Sequence, residues 1–250
     1  MDLDYLEHLQ NIRNGPSKDD YIVAMDAYLN KVAIVWNNHI EICEYVDNKL
    51  TRRVQKFGGL LENDQGPDDL EVGQHFHCGK FFRNWFFAGT VSGTVEMYKV
   101  SNGQLFREFD SNVETSVKSL ACSPTRISAL FDQEIVTWNM QDGALIEPAI
   151  NVHVPSSVMY HPNGQQMLVN CQENTTIRQL DGHNIVHTFP EFYGDAVYSP
   201  SGGHTVALIY RNQFLKFWNP VTHEFSNITI RVTNNNDERF KFQYIGKDKV

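Results

Sequence analysis

The sequence is poor in the features that mark membrane, disulfide-bonded and metal-binding chains. Its apolar runs are short: Tyr21–Ala24, Val32–Trp36 and Trp85–Ala88 fall well below the roughly 20 residues of a membrane-spanning helix. Cysteine is scarce. Four residues (Cys43, Cys78, Cys122 and Cys171) are widely spaced, with no Cys-x-x-Cys pair, and they read as reduced thiols. Met1-Asp2-Leu3-Asp4-Tyr5 lacks the basic-then-apolar order of a secretory signal, so a cytoplasmic or nuclear location is expected, not a secreted one. On that reading, Asn174-Thr175-Thr176 and Asn227-Ile228-Thr229 are glycosylation acceptors in form alone. Positive charge is also short: 21 Lys and Arg stand against 30 Asp and Glu, a formal net charge of −9. That balance argues against a broad nucleic-acid surface.

Catalytic signatures are missing as well. There is no Gly-x-Ser-x-Gly elbow, no Walker loop and no His-Glu-x-x-His. Gly89-Thr-Val-Ser-Gly93-Thr94 looks superficially like a phosphate loop but lacks the lysine. Only Gln74-His75-Phe76-His77-Cys78 gathers metal-ligand residue types. On a regular strand His75 and His77 share a face and Cys78 points away, so strand packing explains the cluster better than zinc. No metal, cofactor or catalytic residue is assigned.

What the sequence does contain is a repeat. Hydrophobic residues make up 41% and charged residues 20%, as in an ordinary globular chain. Ser123-Pro124, His161-Pro162 and Ser199-Pro200 recur at intervals of 38 residues. Each follows an alternating stretch, Val117–Cys122, Ser157–Tyr160 or Asp195–Tyr198, which the proline ends by fixing φ and removing a donor. Second apolar strands are predicted at Ile127–Phe131, Gln166–Asn170 and Thr205–Tyr210. Third strands follow at Glu134–Asn139, Thr176–Asp181 and Phe214–Asn219, and a fourth closes the unit, as in Asn184–Phe189. Four short strands per period of about 40 residues is the pattern of a propeller blade. A β-sandwich has similar strands but does not repeat four-strand units in register.

On these residues the chain resembles the WD-repeat family, whose third strand typically ends in Trp-Asp. Here the matching positions read Trp138-Asn139, Leu180-Asp181 and Trp218-Asn219, with Tyr98 and Cys43 at the tryptophan position of two upstream units. The family's turn aspartate falls on Asn37, Ser92, Asp132, Asn174 and Asn212, short polar residues suited to bonding turn backbone. The Gly-His pair before each blade is absent, as is most of the His–Ser–Trp–Asp network. The expected fold is all-β: a propeller of four-stranded WD-like blades over residues 21–250, preceded by a short N-terminal helix and linker over 1–20.

Five complete blades are expected at about 21–57, 73–109, 116–150, 156–190 and 194–232. Phe240–Ile245 then reads as the first strand of a sixth and Gly246–Val250 as its turn. Either the sequence is truncated or the last strand closes on blade 1, and truncation is the expectation. Asp2–Arg13 has the period of an amphipathic helix and stops at Asn14-Gly15-Pro16. Leu61–Glu71 is acidic but lacks the ligand order of a calcium loop and reads as a solvated loop. The resemblance implies a non-catalytic scaffold or adaptor that presents a rigid surface to a protein or peptide partner, with further domains of a larger protein as another source of partners. The alternative is a propeller enzyme with its site at the central channel.

Overall fold

A computed structural model describes residues 21–46, 49–57, 75–180, 184–190, 192–199, 206–210 and 214–231. The expected helix Asp2–Arg13, the acidic loop Leu61–Glu71, the sixth-blade segment Phe240–Val250 and Asn212 lie outside those residues. The described chain is all strand and turn. Among the described residues no helix is long and apolar enough to cross a membrane.

Among the described residues twenty strands form five separate four-stranded antiparallel sheets, each built from consecutive strands in sequential order. Blade 1 holds β1 (Ile22–Tyr28), β2 (Lys31–Trp36), β3 (Ile40–Val46) and β4 (Lys49–Phe57). Blade 2 holds β5 (Phe76–Phe82), β6 (Trp85–Thr90), β7 (Val95–Lys99) and β8 (Leu105–Phe109). Blade 3 holds β9 (Ser119–Cys122), β10 (Arg126–Leu130), β11 (Glu134–Asn139) and β12 (Leu145–Asn151). Blade 4 holds β13 (Pro155–Tyr160), β14 (Gln166–Cys171), β15 (Asn174–Gln179) and β16 (Ile185–Pro190). Blade 5 holds β17 (Phe192–Tyr198), β18 (Val206–Tyr210), β19 (Phe214–Asn219) and β20 (Glu224–Arg231). The sequence-based blade limits agree with these to within three residues. A sandwich is excluded for these strands, because no sheet draws strands from two blades.

The second strands run through the middle of each sheet and are apolar in near-continuous runs, interrupted in blade 3 by Ser128, as suits a strand covered on both faces. Ala33–Trp36, Phe86–Ala88 and Ile127–Leu130 are buried throughout, as are Met167–Val169 and Val206–Leu208. Prolines sit where a missing amide donor is harmless: Pro124 and Pro162 in the first hairpins, and Pro155 and Pro190 at strand ends.

The chain divides into two compact units, residues 1–117 with blades 1 and 2, and residues 118–250 with blades 3 to 5. In the first, Ala33, Val35, Ile40, Ile42 and Phe57 of blade 1 share one core with Phe76, Phe81, Phe86, Ala88 and Tyr98 of blade 2. Gly79 allows that approach, since a Cβ there would lie 2.7 Å from Val35 and 2.5 Å from Phe86. In the second unit, Ala121, Leu130, Ile135 and Ile150 of blade 3 pack on Val158, Tyr160, Met167, Val169, Cys171 and Leu180 of blade 4. The opposite face of blade 4 (Leu168, Ile177 and Phe189) packs on Ala196, Tyr198, Val206, Leu208 and Trp218 of blade 5. Buried polar side chains pin these layers together. The hydroxyls of Ser128 in blade 3 and Tyr160 in blade 4 lie 2.6 Å apart, and Asn170 Nδ2 donates to the carbonyl of Ala196 at 3.2 Å.

Candidate functional site

Strand register shows how the repeated positions correspond. Every blade carries a register shift between its third and fourth strands near one position: at Cys43, next to Tyr98, Arg178 and Trp218, and two residues before Trp138. From blade 2 onward, that residue faces the residue seven positions on, at the start of the fourth strand: Tyr98 opposite Leu105, Trp138 opposite Leu145, Arg178 opposite Ile185 and Trp218 opposite Phe225.

The structure therefore corrects the reading of blade 4. Leu180 lies one residue beyond β15, and Arg178 holds the tryptophan position. The turn shifts with it. In blade 3 the Phe131 amide bonds the Glu134 carbonyl, with Asp132 inside the turn, whereas Asn174 is already the first residue of β15. Gln172, not Asn174, is thus the counterpart of Asp132. Both differences are one slip of two residues. A two-residue slip keeps every side chain on its own face, so alternation cannot reveal it. Leu180 matched the pattern because it is apolar, on the correct face and buried in the blade 3–blade 4 core. The signal that finds Arg178 is the seven-residue span counted back from Ile185.

The other turn residues have distinct partners. Asn37 Oδ1 accepts the Tyr21 amide at 3.1 Å, Ser92 pairs with the Thr90 hydroxyl at 3.0 Å, and Asp132 forms an ion pair with Lys118. The tryptophan-position residues of the neighbouring blades act as plugs against the preceding blade. Tyr98 packs on Phe57, ring centroids 4.9 Å apart, and Trp218 meets Phe189 edge-on at 4.9 Å and stacks on His187 at 4.7 Å. Cys43 and Trp138 are buried.

The histidine–cysteine cluster does not converge. A register shift between Phe76 and Cys78 interrupts the alternation that would place His75 and His77 together. His75 Nε2 instead lies 3.0 Å from Glu96 Oε1, and the other Glu96 oxygen accepts from the Tyr98 hydroxyl. The Cys78 thiol donates to the Val117 carbonyl at 3.3 Å, and burial pushes its pKa up to about 12. Among the described residues no three His, Cys, Asp or Glu side chains are grouped so as to hold a metal ion.

Among the described residues two features have capacity to bind. One is the set of apolar side chains exposed on individual fourth strands: Leu105 and Phe106 on β8, Leu145 on β12, Ile185 and Val186 on β16, and Phe225, Ile228 and Ile230 on β20. All eight residues of β20 are exposed. The other is a cleft of about 460 Å³ between the end of blade 3 and the β15–β16 face of blade 4, lined by Asn151, His153, Cys171, Asn174, Thr176, Arg178 and Thr188 among others. Burial raises the Cys171 pKa and lowers that of Arg178.

No protein-family model matches the chain, and no curated protein matches it by sequence. Solved structures do match. The Cps50 (Swd1) β-propeller domain of Myceliophteria thermophila is 17% identical with a TM-score of 0.56, over 64% of this chain and 56% of that one. A chain of the mitotic checkpoint complex is 14% identical with a TM-score of 0.67, over 84% and 63%. The computationally designed protein Ika8 is also 14% identical, with a TM-score of 0.61 over 84% and 61%. The chain thus spans only about 56 to 63% of the length of these structures. At such identities the likeness is one of fold: five blades of β-propeller type, structurally resembling a WD-repeat propeller domain.

Proposed function

We propose that the chain is a non-catalytic interaction platform that presents a propeller surface to a protein partner. The observation that carries this reading is the pairing of buried, bonded blade interiors with apolar side chains left exposed on fourth strands. Phe106 is 58% exposed, Ile228 62% and Ile230 46%, although the strands that carry them are hydrogen-bonded into their sheets. Exposed aromatic and branched residues on a rigid frame suit desolvation by a partner. The likeness to propeller domains, including one from a multiprotein complex, supports the same reading. A location in the cytoplasm or nucleus and a place within a larger protein belong to this proposal too.

The test is purification of the tagged chain from cells of its own organism, identification of any stoichiometric partner, and reconstitution from recombinant components. The expected result is a defined complex that Phe106→Glu or Ile228→Glu weakens by about tenfold or more without altering the melting temperature. A complex indifferent to both substitutions, or turnover of a substrate by the purified chain, would overturn the proposal.

A further inference from the structure

In the two adjacent pairs where the tryptophan-position residue meets the preceding blade, Tyr98 and Trp218 fill the space with an aromatic ring. Blade 4 has Arg178 there, and the space beside it is a cleft of about 460 Å³. Two residues lining this cleft each carry a buried polar atom with no hydrogen-bond partner, Arg178 Nε and Thr176 Oγ1. They sit two residues apart on β15, on the face that looks toward blade 3. Among the described residues no carboxylate lies within ion-pair distance of the Arg178 guanidinium. The nearby Cys171 thiol is held neutral at ordinary pH by a pKa raised through burial, and Glu173 lines the cleft as an exposed residue.

A half-buried guanidinium without a counter-ion is costly, as is a buried hydroxyl without a partner. One group satisfies both, an oxyanion accepting from Arg178 Nε–H and the Thr176 hydroxyl together. Asn151, Asn174 and Thr188 add neutral polar side chains around it. Arginine's planar donors match carboxylate and phosphate oxygens.

The geometry points to this cleft as a binding site for an oxyanion held by Arg178 and Thr176; that a partner polypeptide carries it, as the phosphate of a phosphorylated side chain or the carboxylate of an acidic one, rests on the interaction role proposed above. The cleft shares Ile185 with the exposed fourth-strand residues, but neither Arg178 nor Thr176 belongs to them.

Nitrogen-15 labelling of arginine in the full chain allows the Arg178 Nε–H resonance to be followed, assigned by its loss in Arg178→Lys. The probes are inorganic phosphate and three versions of one peptide, carrying phosphoserine, glutamate or serine at its centre. The expected result is a saturable shift of this resonance with phosphate and with at least one anionic peptide, at about tenfold higher affinity than the serine peptide. Thr176→Val removes the hydroxyl at nearly constant shape and should weaken binding several-fold. Arg178→Met should abolish it while retaining the wild-type amide spectrum elsewhere. Saturation by phosphate without competition from either anionic peptide would replace the polypeptide source with a free anion and overturn the assignment to a partner. No saturable shift with any probe, or equal affinity for the serine peptide, would overturn the site itself. Because no partner protein enters the titration, either result leaves the fourth-strand reading to stand or fall alone.

Discussion

The buried tryptophans are where single side chains matter most for stability. Trp138 and Trp218 are 1% and 2% exposed, and their removal leaves space that a β-sheet core cannot close. Trp138→Ala and Trp218→Ala should each cost about 3–5 kcal/mol in urea denaturation, and a loss below about 1 kcal/mol at both would contradict their buried positions. His187 offers a pH test at the same spot. It stacks on Trp218 and lies 6.2 Å from His223, and burial first, then repulsion from His223, lowers its pKa below the ordinary 6.5. As pH falls below 6.5 the unfolded chain takes up this proton before the folded one does. The stability present above that pH is therefore lost as pH drops through the lower folded value. Thermal midpoints measured from pH 7.5 to 5 should fall less steeply for His187→Gln than for wild type, whatever the offset caused by losing the stack. Identical slopes would show that the ring does not titrate differently on folding.

At the scale of elements, repeated turns and bulges set the blade geometry. Gly103, Gly143 and His223 occupy one position after the third strand, with φ of 68°, 80° and 57°, and each amide bonds the carbonyl four residues back. Gly93 has no freedom to change: at φ 93° a Cβ would lie 1.9 Å from the Val113 carbonyl oxygen. Gly93→Ala should destabilise by more than about 1 kcal/mol, read from the shift of its urea midpoint at constant slope. The outer strand β20 has the opposite character. Exposed along its whole length and apolar at Ile228 and Ile230, it pairs only with β19 among the described strands. An edge of that kind invites pairing with other chains. Ile228→Lys combined with Ile230→Lys should lower light scattering on concentration while leaving the melting temperature within about 2 °C, since exposed substitutions usually change stability little.

Within each compact unit stability is shared between neighbouring blades, because much of each core is contributed by the next sheet. Trp218 belongs to blade 5 but lies against Phe189 and His187 of blade 4. In repeat architectures such a residue supports its neighbour and fades in influence beyond it. Hydrogen exchange on Trp218→Ala should therefore show loss of protection in β16 and β19, with much smaller change in β9 and β10. Uniform loss across all three blades would mean that blades 3 to 5 open as one cooperative body.

Period and alternation, both carried by local sequence, were sufficient to establish the strands, their grouping into blades and the burial of the second strands. The prolines at 38-residue intervals and runs such as Trp85–Ala88 are legible without any tertiary knowledge. Register in blade 4 was not legible. Two alignments differing by two residues place the same faces inward, and Leu180 satisfies the pattern as well as an aromatic would. Only the pairing of Arg178 with Met167 and Ile185 decided which residue stands between blades 3 and 4. The same holds for His75 and His77, whose shared face depended on a regular strand that a bulge interrupts. Alternation reports which face a side chain takes. Which neighbour it meets there, and whether a ring or a cleft results, is decided by hydrogen-bond register between strands far apart in sequence.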